Sequence, residues 1–120
     1  MIVAVLGAST NPERYSNQAI RMLVEHGHSV IPVNPAYEEI EGLAAAKSLD
    51  ELEPGSVDTV TMYVGADRSR SLAETLKTLR PRRVIFNPGA ENPELASALT
   101  SAGIETENAC TLVLLRTGAF

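Results

Sequence analysis

Short apolar runs alternate with longer amphipathic stretches along the whole chain. The runs are rich in Val and Ile, as expected of strands that are buried on both faces of a parallel sheet. Strands are predicted at Ile2–Leu6, Ser29–Val33, Leu43–Lys47, Val57–Val64, Arg83–Phe86 and Ile104–Glu107. Their alternation with helical patterns is typical of βαβ units. The pattern therefore predicts an α/β fold with a parallel sheet.

The stretches between these strands carry apolar residues at helical spacing. One helix is predicted over Ser16–Glu25 and another over Asp67–Leu79, where Pro81 follows. A third helix begins at Asn92, an N-cap residue followed by a proline. Ala109–Leu115 is apolar throughout, so periodicity alone does not assign it to a helix or a strand.

The order of the strands follows from the handedness of their connections. Right-handed crossovers predict a three-layer, Rossmann-like, doubly wound sheet with the order 3-2-1-4-5-6, and all 120 residues are expected to form this one domain. The winding then reverses between the first and fourth strands. Ligands of such sheets bind there, outside the carboxyl ends of the strands. The loops that meet at this point begin at Gly7, Asn34, Gly65 and Asn87.

The net charge and the cysteine content limit the kinds of partner and the cellular compartment that the sequence predicts. The net charge of −5 argues against nucleic acid or an anionic membrane as a partner, since both favour a basic face. Cys110 is the single cysteine, which excludes an internal disulfide and indicates a reducing compartment. No apolar stretch approaches the length of a membrane span. A cytoplasmic protein is expected.

The loop after the first strand, Gly7 to Pro12, is long and polar and leads into a helix. A helix N-terminus offers free N–H groups and the positive end of a dipole, both of which suit a phosphate. Gly7 lets the backbone approach a ligand, and Arg14 adds a positive charge. Side-chain donors are available at Ser9, Thr10, Asn11 and Ser16. The loop therefore predicts phosphate binding, with an ordinary strand-to-helix turn as the alternative.

The sequence departs from the dinucleotide-binding fingerprint in two places. Only Gly7 of the G-x-G-x-x-G pattern is present, and Asn34 stands where an acidic residue would bind the ribose of NAD. Both departures weaken a nicotinamide interpretation and leave it open.

Several segments, taken in order, resemble a known family. The resemblance rests on VAVLGASTNPERYSN at 3–17, HGHSVIPVNPAYEEIEG at 26–42, VDTVTMYV at 57–64 and VIFNPGAENPEL at 84–95. The chain is similar to the small CoA-binding proteins, which are lone Rossmann-like domains related to the CoA-binding domain of succinyl-CoA synthetase α subunits. The resemblance implies coenzyme A or an acyl-CoA as the ligand.

The same resemblance implies a set of ligand contacts. Residues of the first loop would surround the pyrophosphate, residues after the second strand would flank the adenosine, and residues at the end of the fourth strand would line the path of the adenine or pantetheine. Asn87 could bind a pantetheine amide or simply form a turn. The predicted site comprises Gly7, Ala8, Ser9, Thr10, Asn11, Arg14, Ser16, Asn34, Pro35, Tyr37, Tyr63, Val64, Gly65 and Asn87. Many relatives carry a Lys or Arg after the second strand, whereas residues 34–39 here include none.

The sequence shows no metal-ligand spacing and no nucleophile–base pair. A non-catalytic module that binds CoA or an acyl-CoA is favoured, as a sensor, a carrier or a partner of an acyl-CoA enzyme. One alternative is a minimal NAD(P)-dependent oxidoreductase or redox sensor, with Tyr63 as its candidate proton donor. Another is a protein-interaction module with a vestigial nucleotide site, which could form a homodimer through the apolar segment Thr111–Phe120.

Overall fold

Five parallel strands form the central sheet in the computed structural model, which describes residues 1–120. The strands of the chain are β1 (Ile2–Leu6), β2 (Ser29–Val33), β3 (Glu39–Ile40), β4 (Leu43–Ala44), β5 (Thr59–Met62), β6 (Arg83–Phe86) and β7 (Glu105–Asn108). The sheet has the order β2-β1-β5-β6-β7, and every neighbouring pair in it is parallel. The α/β, Rossmann-like fold predicted from the sequence is confirmed.

The third predicted strand, Leu43–Lys47, is wrong as a sheet strand. Leu43–Ala44 instead pairs antiparallel with β3 to form a small hairpin outside the sheet. Only Ala46 reaches the edge of the sheet, through an isolated parallel bridge to Val33. The third position of the predicted 3-2-1-4-5-6 order is thus reduced to one bridge, while the other five strands lie in the predicted order.

The helices are α1 (Tyr15–Glu25), α2 (Ala66–Ser69), α3 (Ala73–Leu79), α4 (Pro93–Ser101) and α5 (Thr111–Arg116). The single helix predicted over Asp67–Leu79 is broken into α2 and α3. Ser69 is buried at the break, its hydroxyl accepts a hydrogen bond from Asn92, and its carbonyl accepts a tight turn bond from the N–H of Leu72. These contacts shorten α2, although residues 67–79 contain neither Pro nor Gly.

The two faces of the sheet are covered by different helices because successive strand residues point to opposite sides. Val3 and Val5 of β1 pack in one cluster with Ile20, Leu23 and Leu115, which lie on α1 and α5. Ala4 belongs to the opposite cluster. That cluster also contains Val60, Met62, Leu76, Val84, Phe86 and Leu99 from β5, β6, α3 and α4. The result is three layers with the sheet in the middle.

The segment Thr111–Phe120, which could have formed a dimer face, is largely used inside the chain. Leu112 and Leu115 are buried, and the ring of Phe120 lies 4.6 Å from the guanidinium carbon of Arg83. Val113 is its exposed large apolar residue, at 50%. No helix of the chain has both the length and the apolar character needed to cross a bilayer.

Candidate functional site

A cleft of about 480 Å³ opens at the carboxyl ends of β1, β2 and β5. This is where the winding of the sheet reverses, because β1 has β2 on one side and β5 on the other. The cleft is lined by Gly7, Ala8, Ser9, Arg14, Tyr15, Ser16, Asn34, Tyr37, Tyr63, Arg68 and Pro88. The cleft therefore lies at the switch point, where the topology predicts a ligand site.

The structure gathers some of the predicted residues around the cleft and not others. It brings together Gly7, Ala8, Ser9, Arg14, Ser16, Asn34, Tyr37 and Tyr63. It does not place at the wall Thr10, Asn11, Pro35, Val64, Gly65 or Asn87. Three lining residues were missed by the sequence reasoning: Tyr15, Arg68 and Pro88.

Gly7 follows β1 at a point where a glycine fits more easily than any other residue. Its φ of +85° lies in the left-handed region, and a Cβ there would come within 3.1 Å of the carbonyl oxygen of Tyr63. Its N–H donates to the carbonyl of Val33 at the end of β2. Gly7 therefore ties together the three strand ends that form the floor of the cleft.

The loop beyond Gly7 is shaped by its own polar groups. The Ser9 hydroxyl accepts a hydrogen bond from the N–H of Asn11 at 3.0 Å. The Asn11 side-chain oxygen accepts one from the N–H of Glu13 at 3.0 Å. Asn11 thus acts here as a turn-forming residue, as its short polar side chain favours, while the Ser9 hydroxyl keeps its own proton available.

The N-terminus of α1 points free donors at the cleft side of the loop. Its N-cap is Arg14, whose side chain makes no capping hydrogen bond. The backbone N–H groups of Tyr15, Ser16 and Asn17 donate to no acceptor within the chain. Since the helix dipole adds positive potential at the same place, this end of α1 is suited to an anion.

Arg14 and Arg68 are the cations that line the cleft, and no Asp or Glu lines it. Both are exposed, and neither side chain forms an ion pair. Arg70, two residues further along, is by contrast paired with Asp67. In a chain with a net charge of −5, this cleft is a local positive site.

Arg68 was missed because its position depends on tertiary structure. It lies in the short helix α2, which begins just after β5 ends at the floor of the cleft. Nothing in the local sequence distinguishes it from Arg70. The one available signal is its distance from the strand end, which places it in the first turn after the switch point.

Asn34 lines the cleft, but its side chain is engaged within the chain. Its Nδ2 donates to the carbonyl of Ala8 at 2.8 Å, and its Oδ1 accepts from the N–H of Ala36 at 2.8 Å. The residue predicted to flank an adenosine therefore joins the loop after β2 to the loop after β1.

Asn87 is buried and makes a complete set of bonds in the interior. Its Nδ2 donates to Thr61 Oγ1 at 2.7 Å and to the carbonyl of Met62 at 2.9 Å. Its Oδ1 accepts from the N–H of Thr111 at 2.9 Å. Of the two roles considered for it, the geometry favours a structural one, which holds β5, β6 and the start of α5 together.

Tyr63 lines the cleft while its hydroxyl oxygen is sealed from solvent and forms no hydrogen bond. Burial raises the pKa of this phenol to about 12. The hydroxyls of Thr61 and Thr111 are near enough to oppose that rise, but they hydrogen-bond each other at 2.8 Å. A ligand in the cleft thus meets Tyr63 without ready access to its proton.

Two tyrosine rings stand at the wall of the cleft beside the arginines. Tyr15 is 69% exposed and Tyr37 is 37% exposed, so both rings are accessible to a ligand in the cleft. Flat rings beside a cationic site are suited to stacking on a nucleotide base. The cleft thus pairs charge complementarity to phosphate with aromatic surface.

A Rossmann-like sheet with a cleft at its switch point belongs to the doubly wound class of α/β domains, which bind their ligands at that point. The model of one family, the CoA binding domain, matches residues 2–116. The chain belongs to this CoA binding domain family.

Three relatives illustrate the match. The crystal structure of an uncharacterized protein is 39% identical, covers 99% of this chain and 97% of its own, and superposes with a TM-score of 0.92. The uncharacterized protein YneT of Bacillus subtilis is 33% identical over 72 residues, which make up 60% of this chain and 53% of that protein. The alpha subunit of acetate–CoA ligase (ADP-forming) II of Pyrococcus furiosus is 40% identical over 63 residues, or 52% of this chain and 14% of that subunit. The matched region therefore spans about half of the first curated relative and a small part of the second.

Proposed function

We propose that this chain binds coenzyme A or an acyl-CoA in the cleft at the carboxyl ends of β1, β2 and β5, and that it does so without catalysing a reaction itself. One observation carries this proposal. Arg14 and Arg68 form no ion pair, and they line a cleft that contains no carboxylate and that lies at the uncapped N-terminus of α1. Membership of the CoA binding domain family supports CoA as the nucleotide.

The diphosphate of the ligand is held by the loop after β1 and by the first turn of α1. Free N–H groups supply directional hydrogen bonds, and Arg14 and Arg68 supply charge from two sides. The adenine packs on the exposed rings of Tyr15 and Tyr37. The pantetheine then runs past Pro88, toward the end of β6.

The side chains in the cleft suit binding better than catalysis. Its lining includes no Asp, Glu, His, Lys or Cys that could act as a base or nucleophile. The Tyr63 phenol, the proton donor of the oxidoreductase alternative, is buried with a pKa raised to about 12. A phenol that is sealed from the cleft is a poor general acid, which weighs against that alternative.

The biological role that follows is a carrier, a sensor or a partner of an enzyme that uses acyl-CoA, in the reducing environment of the cytoplasm. Similarity to part of the alpha subunit of an acetate–CoA ligase supports a role beside such an enzyme. Cys110 is a free, half-buried thiol, which a reducing compartment would preserve.

The test is calorimetric titration of the purified chain with CoA, acetyl-CoA, NAD and ATP. CoA or acetyl-CoA should bind most tightly, and Arg14→Ala should weaken that binding by about 1–3 kcal/mol, the usual size of a charge-assisted hydrogen bond.

The matched control is Arg116→Ala, which removes an exposed arginine of α5 that does not line the cleft. It should leave the affinity for CoA unchanged. Tighter binding of NAD than of CoA, or equal losses in the two variants, would contradict the proposal.

A further inference from the structure

Two asparagine side chains, Asn17 and Asn34, hold successive carbonyl groups of the loop after β1. We infer that both are positioning residues, which keep two N–H groups free and directed for the diphosphate of the ligand: that of Ser9 at the wall of the cleft and that of Thr10, the next residue, at its rim. This inference rests on the proposed function of the cleft, and it concerns side chains that need not touch the ligand through their own amides.

Asn34 holds the first of these carbonyls. It lies just after β2, and its Nδ2 donates to the carbonyl of Ala8 at 2.8 Å. Its Oδ1 is fixed at the same time by the N–H of Ala36. The side chain therefore cannot rotate without breaking two hydrogen bonds, so the carbonyl of Ala8 is held toward β2.

Asn17 holds the next carbonyl from the opposite side. It is fully buried in the first turn of α1, and its Nδ2 donates to the carbonyl of Ser9 at 2.9 Å. Its Oδ1 accepts from Nε of Arg21 at 2.9 Å, and Nη2 of Arg21 donates to the carbonyl of Pro12 at 2.8 Å. Asn17 and Arg21 together fasten the loop to α1 at Ser9 and at Pro12.

Because the peptide bond is planar, a hydrogen bond that fixes a carbonyl group also fixes the direction of the N–H group of the next residue. In a trans peptide the C=O of one residue and the N–H of the next point in opposite directions. Holding the carbonyl of Ala8 therefore orients the N–H of Ser9, and holding the carbonyl of Ser9 orients the N–H of Thr10. Neither N–H donates to any acceptor in the chain. The hydrogen bonds of Asn34 and Asn17 thus leave the N–H groups of Ser9 and Thr10 oriented and without acceptors, next to the N-terminus of α1.

The hairpin of β3 and β4 completes the arrangement. The second hydrogen of Asn17 Nδ2 is taken by Oε2 of Glu41 at 3.1 Å. Glu41 has a φ of +53° in the turn of this hairpin, a left-handed conformation that is strained for a residue other than glycine. Next to it, Ile40 is buried against Val3 and Ile20, which anchors the turn over α1. The strained turn thus places the carboxylate of Glu41 against the side-chain amide of Asn17, which holds the loop after β1.

This arrangement predicts which substitutions act through the loop backbone rather than through a side-chain hydrogen bond to the ligand. Asn17→Ala and Asn34→Ala each release one carbonyl. Glu41→Gln keeps an oxygen that can accept from Asn17, whereas Glu41→Ala does not. Asn108→Ala, which removes an exposed asparagine without side-chain hydrogen bonds in β7, is the matched control.

The experiment combines amide NMR spectra of the free variants with titrations of CoA and of inorganic pyrophosphate. Asn34→Ala and Asn17→Ala should shift the amide resonances of Ser9 and Thr10. Each should also weaken both ligands by a similar factor of roughly ten, the value of one lost hydrogen-bonded contact. Glu41→Gln should bind as the wild type does, and Glu41→Ala more weakly. Asn108→Ala should change nothing.

The outcomes separate this inference from the proposed function. Wild-type binding of CoA together with unchanged loop amides and unchanged affinity in Asn34→Ala and Asn17→Ala would overturn the inference and leave the proposed function standing. If the wild-type chain binds neither CoA nor pyrophosphate, the proposed function fails. The resonances of Ser9 and Thr10 in the free variants then decide the inference, because unchanged resonances would overturn it.

Discussion

A Cβ placed on Gly7 would lie 3.0 Å from Cγ1 of Val64, tighter than nearly all packed Cβ contacts in proteins. The segments that follow β1 and β5 therefore approach each other closely at the point where the sheet reverses its winding. The left-handed φ of +85° at Gly7 adds a second requirement for glycine. The cleft opens above this contact, so its floor depends on a residue that has no side chain.

Gly7→Ala should lower the free energy of unfolding by about 1–3 kcal/mol, through backbone strain and the clash with β5. Urea denaturation would measure this loss. The control is Gly65→Ala, because Gly65 has no atom within 4 Å of an added Cβ and no positive φ. That variant should stay within about 0.5 kcal/mol of the wild type. Equal stability of the two variants would contradict the role assigned to Gly7.

Asn87→Ala should destabilise the fold by about 2–4 kcal/mol, because it leaves the buried N–H of Thr111 without an acceptor and removes the side-chain donor to Thr61 Oγ1 and the carbonyl of Met62. The native fraction should nevertheless bind CoA nearly as well as the wild type, since Asn87 does not line the cleft. Urea denaturation and calorimetry on the same preparation separate the two effects. A large loss of affinity with unchanged stability would restore Asn87 as a ligand contact.

Arg68→Ala should weaken the binding of CoA by about three- to tenfold at moderate salt, because Arg68 adds positive charge to the wall of the cleft. The loss is limited because salt partly screens exposed charges. The difference should shrink as the salt concentration rises. Arg70→Ala, which breaks an exposed ion pair with Asp67 outside the cleft, is the control. Equal affinities of Arg68→Ala and the wild type at low salt would remove Arg68 from the site.

The same variant can locate the phosphate that Arg68 serves. Residues 34–46 contain no cation, so the loop after β2 offers no positive side chain to a 3′-phosphate. We expect the affinities for CoA and for 3′-dephospho-CoA to lie within about threefold of each other. Arg68→Ala should lower both affinities by the modest factor expected on removing an exposed charge. A preference for CoA that disappears in Arg68→Ala would instead assign Arg68 to the 3′-phosphate.

Tyr63 should lose its proton only at strongly alkaline pH, since burial raises its pKa from 10.0 to about 12. Its contribution to stability is therefore complete below pH 10 and is lost as the pH rises through 12. Near-ultraviolet titration should show a late phenolate component that Tyr63→Phe removes. The variant should change the free energy of unfolding by about 1 kcal/mol or less, because the hydroxyl makes no hydrogen bond. Ionisation of Tyr63 near its ordinary pKa would show that the hydroxyl reaches solvent.

The strands were predictable because β-branched runs buried on both faces leave a strong local pattern. The third strand was not, since Leu43–Lys47 has the same composition whether it lies at a parallel edge or turns back in a hairpin. The break between α2 and α3 was also hidden. It depends on the contact of Ser69 with Asn92, which lies 23 residues away in the sequence.

The location of the cleft could be predicted from the topology of the sheet. The hydrogen bonds that its side chains form could not. An asparagine after a strand can bind a ligand, cap a loop or hold two strands together, and only its partners decide. Asn34 proved to grip Ala8, and Asn87 proved to bond within the core. Asn17 and Arg68 were not singled out, because each acts through groups that are distant in the sequence or on a neighbouring element.

The most direct test of CoA binding in this cleft is to add CoA to the isotopically labelled chain and to map the amide resonances that shift. Binding in the cleft should perturb the amides of residues 7–17, 34–37 and 63–68 and leave those of β7 and of the C-terminal half of α4 unchanged. Shifts confined to other surfaces, or no shifts at millimolar CoA, would contradict the assignment of this cleft as the CoA site.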